Sequence, residues 1–211
     1  MLPDVPTGSE VPAGAGVPAD SRRESRADRT RVRLLEAARS AFARVGWPRA
    51  RVEDVCREAG VGHGTFYAYY GNKIEILEAL VRRHSVALYA LAERPWTSSD
   101  VRSDVRRVIA GVVALVETDR DIREIWTSAS ASEPALAALG AEVRAQFVSR
   151  IGRHLSGAVE RGEARVDLDV TVAAPALAAM VEYSTGPLGP VVPAERLVDG
   201  LTDLWVHAVF A

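Results

Sequence analysis

Residues 52–73 read VEDVCREAGVGHGTFYAYYGNK. Val52, Val55 and Cys56 recur at i, i+3 and i+4, the spacing of one helix face. Ala59-Gly60-Val61 stops that helix, because Gly takes the left-handed conformation just past a helix end without Cβ strain. From His63 the helical spacing resumes, with Phe66 and Tyr70 four residues apart and directed inward. His63, Gly64, Tyr67 and Tyr69 are left for the outer face. Two short helices joined by a glycine-bearing turn make a helix-turn-helix. Its second helix has the size that enters the major groove of DNA.

Working outward, Leu34, Leu35, Ala38, Phe42 and Val45 form the apolar stripe of a helix over residues 28–45. Gly46 ends it, and Trp47-Pro48 turns the chain toward Val52. Residues 1–27 mix Pro, Gly, Ala, Ser and charge without a period, and bury too little to offset ordering entropy, so a disordered leader is expected. Arg22, Arg23, Arg26, Arg29, Arg31 and Arg33 make its end basic, suited to phosphate or minor-groove contact or to solubilisation alone. Downstream, helical spacing predicts helices over 72–93, 99–117, 122–130, 134–162, 170–183 and 194–210. Pro95 is expected to break the first of these, and Ser98 or Ser99 to cap the second.

At the turn and second helix, GVGHGTFYAYYGNK resembles the recognition-helix signature of the TetR family of bacterial regulators, G-V-S-x-G-T-x-Y-x-x-F-x-x-K. Gly60, Val61, Gly64, Thr65, Tyr67 and Lys73 match, and Tyr70 replaces the usual Phe. The motif resemblance covers roughly residues 30–80. Gly62 stands where the family commonly has a Ser cap, a tolerated exchange. Arg51 stands where a capping Thr is common, which removes that cap but leaves a cation able to reach a phosphate.

The resemblance implies an all-α protein with three parts. Residues 1–27 are the leader, 28–75 a three-helix helix-turn-helix DNA-binding domain, and 76–211 a helical ligand-binding and dimerisation domain. Charge agrees with that division. Residues 22–73 carry 12 Lys+Arg against 6 Asp+Glu, although the whole chain is −2. One basic end for DNA and an acidic remainder facing away fit this asymmetry.

Geometry then assigns roles in a DNA interface. His63 lies at the N-terminal end of the reading helix, where side chains meet base edges. Gly64 permits close backbone approach, and Thr65 offers a hydroxyl and an early N–H to phosphate. Tyr67 and Tyr69 present phenols, and Lys73, the only lysine, is expected to grip a phosphate. Further expectations come from the resemblance. A cavity in the middle helices would hold a small, apolar effector, with Trp126, Phe147, His154, Met180 and Tyr183 as candidate liners. The last two helices would pair with those of a second copy through Leu177, Val181, Leu197, Leu201, Leu204, Trp205 and Ala208.

Other classes fare worse. His63, His84, His154 and His207 lack metal-ligand spacing, and no phosphate loop or nucleophile elbow occurs, so neither an enzyme nor a metal or cofactor is expected. No apolar run approaches the ~18 residues a membrane span needs. With one cysteine and no signal-peptide pattern, a reducing cytoplasm is the expected compartment. The function expected is a dimeric repressor released from a palindromic operator in double-stranded DNA by a small ligand. The alternatives are an activator, a regulator answering to a protein partner, and a helical small-molecule binder that does not bind DNA.

Overall fold

The computed structural model describes residues 19–93, 96, 100–186 and 191–210. They form nine α-helices and no strand. The first four are α1 (Ala19–Val45), α2 (Val52–Ala59), α3 (His63–Tyr67) and α4 (Lys73–Glu93). They are followed by α5 (Val101–Thr118), α6 (Arg120–Ser130), α7 (Pro134–Glu160), α8 (Val170–Thr185) and α9 (Ala194–Phe210).

The largest departure from expectation is at the start. Helix α1 begins at Ala19, so the leader expected through residue 27 is helical over its last nine residues. From Ala19 to Val45 the chain contains neither Gly nor Pro and is rich in Ala and Arg, both favourable in helices. Local propensity decides this stretch. Residues 1–18 of that expected leader lie outside the described residues, as do Pro95, Ser98 and Ser99. The cap of α5 is instead Asp100, whose Oδ1 accepts from Ser103 N at 3.1 Å.

Helices α1–α3 wrap a small core in which Leu34, Ala38, Phe42, Val55 and Phe66 are fully buried. Trp47 closes it edge-on against Phe42 at 5.2 Å, a pairing that contributes about 0.5–1.5 kcal/mol beyond burial. Packing continues across residue 75. Ile76, Leu77 and Leu80 of α4, Ile122, Ile125 and Ala129 of α6, and Leu136 and Leu139 of α7 belong to the same cluster. A second cluster joins α5, α7, α8 and α9, with Ile109, Ile151, Leu155, Leu201 and Trp205 at its centre. Helix α9 lies along α5 and α8 along α7.

Candidate nucleic-acid interface and effector cavity

The turn between α2 and α3 forms as its sequence dictates. Gly60 takes φ +61°, and its N–H and that of Val61 return to carbonyls of α2. Arg51 precedes α2 in extended backbone and contributes no capping acceptor. Asp54 compensates, because its Oδ2 accepts from Arg51 N at 3.0 Å. That backbone hydrogen bond, with Arg57 nearby, holds the Asp54 carboxyl below its usual pKa. Gly62 occupies the position before α3 with φ −76° and ψ 158°, so an ordinary extended residue starts the reading helix.

His63 and Gly64 are exposed, and nothing lies within 4 Å of where a Gly64 Cβ would stand. Tyr67 is 55% exposed although its ring meets Phe66 edge-on at 5.5 Å. Thr65 is half-buried. Tyr69, expected outside, is also half-buried and packs on the core, because α3 ends at Tyr67 and the following turn swings the ring back. It floors a groove that brings Arg26, Arg29 and Arg33 of α1 beside Gly62 and Thr65. The basic arm and the reading helix therefore share one surface.

Lys73 departs further from expectation. Its Nζ donates to Trp47 O at 3.0 Å and Ala50 O at 3.1 Å, and it stands 4.5 Å from the Trp47 ring centroid. Two of its three ammonium protons are spent tying the start of α4 to the α1–α2 loop. The free phosphate grip expected from sequence is thereby reduced to at most one donor. The sequence carried no sign of this, since the carbonyls come from residues more than 20 positions upstream.

A cavity of about 240 Å³ opens among α4, α5, α6, α7 and α8. Its wall is chiefly apolar, with Leu88, Val112, Val116, Trp126 and Phe147 among its liners, and His84, Asp119 and Arg123 add polar groups. Trp126 packs so closely over α7 that a Cβ at Gly140 would stand 2.9 Å from its ring. Asp119 links this wall to the DNA-binding end. Its Oδ2 lies 2.8 Å from His84 Nδ1, and its Oδ1 2.9 Å from Arg39 Nη1 of α1. Arg39 also forks onto Asp121 at 2.6 and 2.7 Å and donates to Thr118 O at 3.2 Å. The Asp121 carboxyl is held below its usual pKa by that hydrogen bond, and the Arg39 guanidinium is raised in turn. One arginine thus clasps the α5–α6 junction whose other side faces the cavity.

Comparison with known proteins agrees with both halves of this arrangement. Residues 34–80 match the family described as bacterial regulatory proteins, tetR family, and residues 105–211 match the C-terminal domain of the transcriptional regulator EthR. The chain is 30% identical to the probable HTH-type transcriptional regulator ArpR of Pseudomonas putida, over 88% of this chain and 91% of that one. The chain belongs to the TetR family of DNA-binding transcriptional regulators. It is also 26% identical to the regulator EthR of Mycobacterium tuberculosis, over 75% of this chain and 77% of that one. Among solved structures, the SmeT–triclosan complex superposes with TM-score 0.72 at 28% identity, covering 86% of this chain and 92% of that one.

Within this TetR-family regulator the expected effector contacts divide. Trp126 and Phe147 line the cavity. His154, Met180 and Tyr183 do not. His154 Nε2 pairs with Ala92 O at 2.8 Å and its ring stacks on Trp96 at 5.2 Å, fastening α7 to the end of α4. Met180 packs in the second core, and Tyr183 is 62% exposed on the outside of α8. Sequence reasoning missed His84, Asp119 and Arg123, and no local signal could have found them, since they meet only when α4 packs beside the α5–α6 junction.

The expected dimer contacts divide as well. Leu177, Val181, Leu201 and Trp205 are buried within the protomer, because the inner faces of α8 and α9 are needed to close its own core. Leu197 is half-buried against the same core. Leu204 and Ala208 are exposed on α9, and Val172 and Tyr183 on α8, so the outward apolar face is offset from the one expected.

Proposed function

We propose that this regulator is a homodimeric repressor that leaves a palindromic operator when a small, largely apolar molecule fills the cavity. The observation that carries this is the Arg39 clasp, which joins α1 of the DNA-binding end to the α5–α6 junction at the cavity wall. A ligand that displaces Trp126, His84 or Asp119 moves the seat on which Arg39 rests. The shift alters the tilt of α1 and with it the spacing of two reading helices, so that occupied and empty states differ in operator affinity. SmeT, whose structure holds triclosan, supports a small-molecule effector for a related chain.

In this reading His63, Gly64, Thr65 and Tyr67 meet the major groove. Arg51 and the α1 arginines Arg26, Arg29 and Arg33 meet phosphates. Gly62 and Tyr69 shape the surface between them. The outward apolar face of α8 and α9, around Val172, Tyr183, Leu204 and Ala208, pairs two copies.

Selection of duplexes from a random pool by the full chain tests the proposal. Recovery of a palindrome with half-sites about one helical turn apart supports it. Recovery of sequences without twofold symmetry, or of none that outcompetes bulk DNA, overturns it.

A further inference from the structure

The cavity's charged side chains are not paired one to one. Two carboxylates and two guanidiniums line it: Asp119, Glu182, Arg123 and Arg144. Arg144 forks onto Glu182 at 2.6 and 2.8 Å, which neutralises both. Asp119 is occupied by Arg39 from behind the wall and by His84. Arg123 has no carboxylate partner among the described residues, and residues 187–190, which follow α8 in the sequence, contain no carboxylate. Its one hydrogen bond runs from Nη1 to Thr185 O at 3.0 Å, at the C-terminal end of α8. That contact uses one of five guanidinium N–H groups and brings no negative charge beyond the weak helix-end dipole.

Arg123 is half-buried, beside Val116 and Ile122 on a largely apolar wall. A lone guanidinium at such a place favours an anion, and a carboxylate matches its fork in shape and charge. Aromatic Trp126 and Phe147 supply the surface for a flat apolar body.

We propose that the cavity selects apolar carboxylic acids, with the carboxylate on Arg123 and the hydrocarbon or aryl body against Trp126 and Phe147. This rests on the cavity being the effector site, and it goes further by setting the charge of the effector. Arg123 would then act as the residue that determines specificity.

The experiment compares one skeleton in three charge states: cinnamate, cinnamyl alcohol and cinnamylamine, titrated against the full chain without DNA by calorimetry or tryptophan fluorescence. Cinnamate is expected to bind at least about tenfold more tightly than the alcohol, with the amine weakest, as a charge-assisted fork requires. Arg123→Gln keeps a donor for Thr185 O while removing the charge, and should bring acid and alcohol to similar affinity. Arg144→Gln should leave the acid preferred. Equal binding of acid and alcohol by the unaltered chain, tighter binding of the amine, or an acid preference that survives Arg123→Gln would each overturn the proposal. Operator release is read separately. An acid that binds through Arg123 without changing operator affinity would leave this inference standing and remove the effector-controlled repressor instead.

Discussion

Lys73 shows how a single residue can satisfy a signature and still do something other than its position suggests. Its offset from Gly64, Thr65 and Tyr67 fits the family pattern, yet its ammonium is held by Trp47 O and Ala50 O and by the Trp47 ring. Removing the charge leaves two carbonyls without their donor and forfeits a cation–π contact. Lys73→Met is therefore expected to cost about 1.5–3 kcal/mol in urea unfolding. Operator binding at a temperature where the variant stays folded should keep nearly the same salt dependence. A salt slope lowered by about one full counterion, with stability unchanged, would return Lys73 to the phosphate role. Tyr67 is the converse case, exposed and without a structural duty beyond its edge contact with Phe66. Tyr67→Ala should weaken operator binding while leaving the unfolding midpoint nearly unchanged.

Among the helices, the informative contact is α1 against the α5–α6 junction. The Arg39–Asp121 fork is partly buried and lies between elements distant in sequence. Because the folded pKa of Asp121 lies below the 3.8 of a free Asp side chain, the pair's contribution is complete above about pH 3.8. It is lost as pH falls through the lowered folded value. Arg39→Ala should thus destabilise the chain near neutral pH, and the gap between parent and variant should narrow on acidification toward pH 3. Urea unfolding at both pH values measures this. A gap that stays constant would mean that Arg39 contributes by packing alone. If the clasp transmits the shift as proposed, the same variant at neutral pH should bind effector but release operator less.

For the whole molecule, the decisive surface is the outside of α8 and α9. Leu204 is 58% exposed in the single chain, whereas its neighbour Trp205 is 2% exposed and sits in the second core. If the chain pairs as proposed, Leu204→Glu should shift it from dimer to monomer in sedimentation velocity while its helical circular dichroism is retained. Trp205→Ala should instead cost about 3–5 kcal/mol of folding stability, as deletion of a buried Trp does. Retention of the dimer by Leu204→Glu would move the pairing surface elsewhere. On the side of α9 that meets α5, Arg102–Asp203 and Arg106–Asp199 bridges fix how α9 lies and so which residues turn outward.

Much of this was legible in residues 52–73. A helix end at a left-handed Gly60, a restart at Gly62 and an inward pair at Phe66 and Tyr70 are local consequences of backbone sterics and 3.6-residue spacing. The later helices, read from the same spacing, lie within a few residues of expectation. The start of α1 was not legible in apolar spacing, because helix propensity in a stretch with neither Gly nor Pro sets it. Facing was less legible than helicity. On α8 nearly every position is small or apolar, and on α9 apolar residues extend past one face, so periodicity gives two plausible stripes, and only packing on α5 and α7 decides which is internal. The cavity's charged wall was hidden because Arg123, Arg144 and Glu182 sit on α6, α7 and α8, and Asp119 at the α5–α6 junction. Spacing along one chain determines which residues share a helix face, and the packing of helices against one another determines what that face meets.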